Sequence, residues 1–144
     1  MIEKGVVIFV RGEQYYEGVD PDGIELATEG TMTIHDDGVI ELAYQETELT
    51  GMEGTETRFV IRENQVVLTR SGRVSSQMVF QLGVQHTSMY ATPWGNLLVD
   101  INTSKISHRL GEHGGLLHIQ YTIAVGHQVT GKNQFKIRVR EKMR

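Results

Sequence analysis

A chain of 144 residues is the size of one domain, here read as 1–144. Its 39% hydrophobic and 22% charged composition is that of a soluble globular protein. It has no cysteine, which excludes disulfides, thiolate metal sites and cysteine nucleophiles. The net charge of −4 hides an asymmetry: Met1 to Gly72 carries five Lys/Arg against 15 Asp/Glu, and Arg73 to Arg144 carries nine against three.

In chain order the segments read as short strands separated by turn residues. Gly5 to Tyr16 is a first strand, ended by Asp20-Pro21-Asp22-Gly23. Ile24 to His35 follows, with an interruption expected at Gly30. Asp37-Gly38 predicts a hairpin because both residues tolerate positive φ. Val39 to Glu48 is the third strand, with Ile40, Leu42 and Tyr44 on one face. Thr55 to Arg62 and Gln65 to Arg70 form a tight hairpin about Glu63-Asn64. Arg73 to Gln81 and Val84 to Ala91 flank a turn at Leu82-Gly83, and Trp94 to Leu110 is long. Leu117, Ile119, Tyr121, Ile123 and Val125 then alternate with polar residues, as do Phe135, Ile137 and Val139. That alternation marks an antiparallel sheet with one wet face. Sixteen glycines, two prolines and no helical period predict an all-β, antiparallel up-and-down barrel of roughly 8–10 strands. Barrel closure would also remove exposed edges and bring the acidic and basic halves together, so that the charge asymmetry neutralises itself.

The run ETELTGMEGTETRFVI, then VVLTRSGRVSSQMVF, then YATPWG, resembles the YwiB-like family of small bacterial β-barrel proteins. The resemblance covers nearly the whole chain and is strongest from Tyr44 to Gly95. It implies a lipocalin-like (calycin-type) barrel in a bacterial cytoplasmic protein, and no established activity or site residue. The chain departs from true lipocalins, lacking an early Gly-x-Trp; its single tryptophan is Trp94. Nothing approaches the roughly 20 apolar residues of a membrane span, and the N-terminal apolar run is too short for a signal peptide. Both point to the cytoplasm.

Strand parity selects the candidate residues. Arg70 shares a face with Val66 and Leu68, so regular geometry sends it inside, with Arg73 beyond Ser71-Gly72. A buried guanidinium needs partners. If the third strand stays regular, Glu46 and Glu48 share its inward face and are partners for Arg70, or a carboxylate pair for acid/base work; if it bulges or ends, both are solvated or pair with arginine. Met78, Phe80, Tyr90 and Trp94 supply soft and aromatic surface for an apolar ligand, or plain core. His108, Glu112, His113 and His118 flank one turn; if the hairpin centres on His113, both outer histidines lie on the wet face. A turn site lacks supporting hydrogen bonds, so no metal or cofactor is expected there. The row Lys132, Lys136, Arg138, Arg140, Lys142 and Arg144 falls mostly on one strand face that has no interleaved aromatic, so no nucleic-acid partner is expected. No phosphate loop, nucleophile elbow or zinc helix occurs. The preferred reading is a non-enzymatic protein that takes a small, partly apolar, anionic ligand into the barrel. The alternative is an interaction module or homodimer acting through the outer surface, and the third is a hydrolase using Glu46 and Glu48.

Overall fold

The computed structural model describes residues 1–15, 22–47, 53–72, 75–92, 95–126 and 128–142. Ten strands occur among them: β1 (Ile2–Tyr15), β2 (Asp22–Ile34), β3 (Ile40–Gln45), β4 (Thr55–Ile61), β5 (Gln65–Gly72), β6 (Ser76–Gln81), β7 (Gln85–Thr92), β8 (Gly95–Gly111), β9 (Gly114–Val125) and β10 (Gln128–Glu141). All pair antiparallel in one sheet, in the order β6-β5-β4-β3-β2-β1-β10-β9-β8-β7. Every ladder therefore joins neighbours in sequence except β1 with β10, which brings the two ends of the chain together. This is the expected up-and-down barrel, nearly closed. Among the described residues there is no helix that could cross a membrane.

The incomplete closure lies between β6 and β7, which are also consecutive in sequence. The described links at the seam include the bridges Gln81↔Val84 and Leu82↔Thr103 and a hydrogen bond between the side chains of Gln81 and His86 at 2.8 Å. Instead of laddering onto β7, the end of β6 leans on β8, where Gly83 N–H donates to Thr103 O at 3.3 Å. A register shift in β8 between Thr103 and Lys105 falls at the same place. A bulge of this kind bends a strand and re-aims its residues. The expectation that closure removes every edge is corrected here: the seam leaves the outer edges of β6 and β7 without a continuous ladder.

The period of two sorts the side chains. Val6, Ile8, Met32, Leu42, Phe59, Ile61, Val66, Leu68, Phe80, Ile101, Leu117, Ile119 and Ile137 point inward and are at most 1% exposed. Each buried side chain of this size contributes about 1.5–3 kcal/mol. Four rings meet in the middle: Phe80 lies 4.8 Å from Tyr121 and 6.2 Å from Phe135, Phe135 lies 5.7 Å from Tyr121, and Phe59 lies 6.4 Å from Phe135. The β2–β3 hairpin turns at Asp37-Gly38 as expected, with Gly38 at φ 89° and its N–H donating to His35 O. β2 runs through Gly30 without the expected interruption.

The outer face carries the ion pairs. Lys142 pairs with Glu29 at 3.1 Å, joining the basic and acidic halves, and Lys4 pairs with Glu141 at 2.5 Å. Glu41 accepts from His35 at 2.5 Å and from Arg58 at 3.4 Å. The hydrogen bond from His35, aided by the charge of Arg58, holds the Glu41 carboxyl below its ordinary range. A depressed carboxyl stabilises the fold above its unfolded pKa, about 4.3, and loses that contribution as pH falls through the folded value. Glu41→Gln is therefore expected to lower stability at neutral pH by roughly 1 kcal/mol or less, the difference from the parent vanishing as pH falls below about 4.3 and through the folded value. Urea midpoints of the two proteins across acid pH would show it; parallel curves would refute it.

Candidate functional site

One row of the inner wall is polar. Tyr44 of β3 faces Thr57 of β4, Thr57 faces Arg70 of β5, and Arg70 faces Ser76 of β6. Parity puts them there: each continues an inward apolar series, Ile40-Leu42-Tyr44, Ile61-Phe59-Thr57 and Val66-Leu68-Arg70. Glu46 lies just past the end of β3 and keeps its alignment, because its N–H donates to Thr55 O at 2.8 Å. It is 5% exposed, and Thr55 and Thr57 are fully buried. Of the two alternatives for this strand end, Glu46 follows the buried one, beside Arg70's row.

The electrostatics follow from that packing. Thr57 Oγ1 donates to Glu46 Oε1 at 2.5 Å, and the Tyr44 hydroxyl also bonds to Glu46. Burial, reinforced by the negative charge of Glu46, pushes the Tyr44 phenol above its ordinary range, with Arg70 opposing. Tyr44 therefore remains a neutral hydrogen-bond donor throughout the physiological range. Arg70 is different. Its Nε is buried and has no hydrogen-bond partner among the described residues, and no ion pair joins Arg70 to Glu46. The hydroxyl of Thr103, on the inner face of β8 opposite Tyr121, is likewise buried and unpartnered. Two adjacent hydroxyl donors thus serve the carboxylate, while the guanidinium keeps a donor and a charge for something else. A guanidinium fork of this kind suits a carboxylate or phosphate oxygen.

The other expected residues sit as follows. Met78 pairs with Leu68, is 5% exposed, and lies one inward position from Ser76, the cross-strand partner of Arg70. Phe80 is fully buried within the ring cluster. Glu48, Arg73 and Trp94 lie outside the described residues, and Tyr90 is described only as a backbone position of β7 opposite Leu97. The second carboxylate of the acid/base reading is therefore not placed. The histidine expectation needs correction: the turn contains two residues, Glu112 and His113, so His118 pairs with Ser107 and His108 with Leu117. The two histidines occupy successive rows and opposite faces. Among the described residues no three His, Asp or Glu side chains gather as a metal site. Tyr44 and Thr57 were missed as members of the polar row. The signal was available in TETRFVI, where Thr55, Thr57, Phe59 and Ile61 share one face.

Comparison with known proteins agrees with the fold. The crystal structure of the ywiB protein from Bacillus subtilis superposes with a TM-score of 0.84 at 23% identity, covering 98% of this chain and 94% of that one. No curated protein matches. The family model described as a domain of unknown function, DUF1934, matches residues 8–137. With a barrel of this topology and a match over most of its length, the chain belongs to the DUF1934 family.

Proposed function

We propose that the protein is a non-enzymatic binding protein that takes a small, partly apolar, anionic ligand into its barrel, in the manner of a lipocalin-like carrier working in the bacterial cytoplasm. The observation that carries this reading is the buried, unpartnered Nε of Arg70 on the inner wall. An unsatisfied buried donor costs about 1–3 kcal/mol, more when the group is charged. A ligand carboxylate or phosphate would remove that cost. Met78, adjacent to Arg70's row, would meet the apolar part, and the partly exposed inward residues Ile123 and Phe135 extend the apolar wall. Tyr44 and Thr57 donate to Glu46, which reduces its competition with the ligand's acid group for Arg70.

The experiment is native mass spectrometry of protein purified from its own host, beside the Arg70→Met variant. The expected result is a bound mass bearing an acid group, lost in the variant. Stripped of ligand, Arg70→Met is expected to unfold at the same urea concentration as the parent or above it, by up to about 2 kcal/mol, because a half-buried cation with an unpartnered, buried Nε is replaced by a side chain that packs. A loss of about 3–5 kcal/mol would instead mark Arg70 as a lock between strands and, with no bound mass, would overturn the proposal.

A further inference from the structure

A second concave surface lies on the outside of the barrel, remote in kind from the Arg70 row. A groove of about 760 Å³ is lined by three consecutive residues from each of four adjacent strands, β2, β1, β10 and β9. It is therefore longer across the strands than along them: about 14 Å between the outer strands against about 7 Å along each. The register spells out two outward rows. One runs Arg109, Leu116, Arg138, Phe9, Ala27, and the next runs His118, Lys136, Arg11, Glu25. Leu116 is 56% exposed at the floor. Arg140 stacks over the Phe9 ring at 5.6 Å and helps to hold it.

Charge decides what such a groove accepts. Its anionic lining residue, Glu25, is bound by Arg11, which also pairs with Glu13. Lys136 and Arg138 are exposed and make no ion pair among the described residues, and Arg109 extends the first row in the same condition. The surface therefore alternates unpaired cations with apolar side chains. A nucleic-acid strand would need several stacking rings, and Phe9 is the aromatic present. We propose that this groove docks an acidic segment of a partner protein, its apolar side chains on Phe9, Leu116 and Ala27 and its carboxylates on Arg138 and Lys136. Sequence reasoning missed it because the aromatic partner of the β10 cations is on β1, more than a hundred residues away and adjacent only through the pairing of the chain's two ends.

The test uses a short fluorescent peptide of alternating glutamate and leucine, titrated with the full chain and read by polarisation. Saturable binding that weakens as salt rises is expected, reduced about tenfold or more by Lys136→Glu with Arg138→Glu, and similarly by Leu116→Ser. All three positions are exposed, so unfolding midpoints should not move. Arg70→Met should bind the peptide normally, which separates this surface from the barrel interior. Absence of binding, equal binding of the lysine–leucine counterpart, indifference to the groove variants, or preference for a labelled single-stranded oligonucleotide would each overturn the proposal.

Discussion

Replacing Phe80 by alanine is expected to cost about 3–5 kcal/mol of unfolding free energy, seen as a fall in the urea midpoint. The ring is fully buried, and its loss leaves a cavity that close neighbours can only partly fill. Its position raises the expectation to the upper part of that range. β6 is an edge strand whose far side has no continuous ladder, so it is held by β5 and by what its side chains reach. Phe80 reaches Tyr121 of β9 and Phe135 of β10, which belong to the other half of the sheet. The aromatic contacts therefore bind the two edges of the barrel where the backbone does not. Amide exchange in β6 should accelerate more than in β4 when Phe80 is removed, and Phe80→Leu should recover most of the loss. A cost below about 1 kcal/mol would mean that Phe80 lines an empty or hydrated space, the role first assigned to it as a ligand contact.

The same pair of facts explains which features were legible. Alternation along single strands placed Arg70 and Glu46 on inward faces, because inward parity is a local property with a period of two. The ten-strand meander was legible for a similar reason: each ladder but one joins neighbours in sequence, and turn residues announce them. What failed depended on a count of turn residues or on distant pairing. A two-residue turn instead of one centred on His113 moved His108 to the opposite face from His118. The seam between β6 and β7 depends on β8 bulging near Thr103, which has no proline or glycine to announce it. The outer groove depends on β1 lying beside β10 in one particular register, and composition cannot express a register. Thr57 was overlooked because a threonine in a strand is ordinary on either face; only its neighbours, Tyr44 and Arg70, make it a donor to a buried carboxylate.

Gly30→Ala is expected to be nearly as damaging as the loss of Phe80, on the order of 3 kcal/mol, although it adds a single methyl group. The backbone at Gly30 is ordinary extended strand, so conformational strain is not the reason. Space is. A Cβ there would run into the carbonyl oxygen of Ala43 on β3, and would meet Ile8 Cδ1 at 2.8 Å and Tyr44 Cβ at 3.2 Å. The Ile8 methyl can rotate away; a carbonyl in a ladder cannot move without moving its strand. β3 must therefore shift against β2, and it carries Tyr44, whose hydroxyl helps hold Glu46. The substitution should lower the unfolding midpoint and, in the surviving folded protein, weaken retention of any ligand held at Arg70. Trimming the neighbour with Ile8→Val in the Gly30→Ala background should recover only a minor part of the stability, since the backbone contact remains. Gly38→Ala provides the contrast: nothing lies within 4 Å, but φ is 89°, so about 1–2 kcal/mol of left-handed strain is expected without any effect on the interior. If Gly30→Ala unfolds within about 0.5 kcal/mol of the parent, the close approach of β2 to β3 is not what requires glycine at this position.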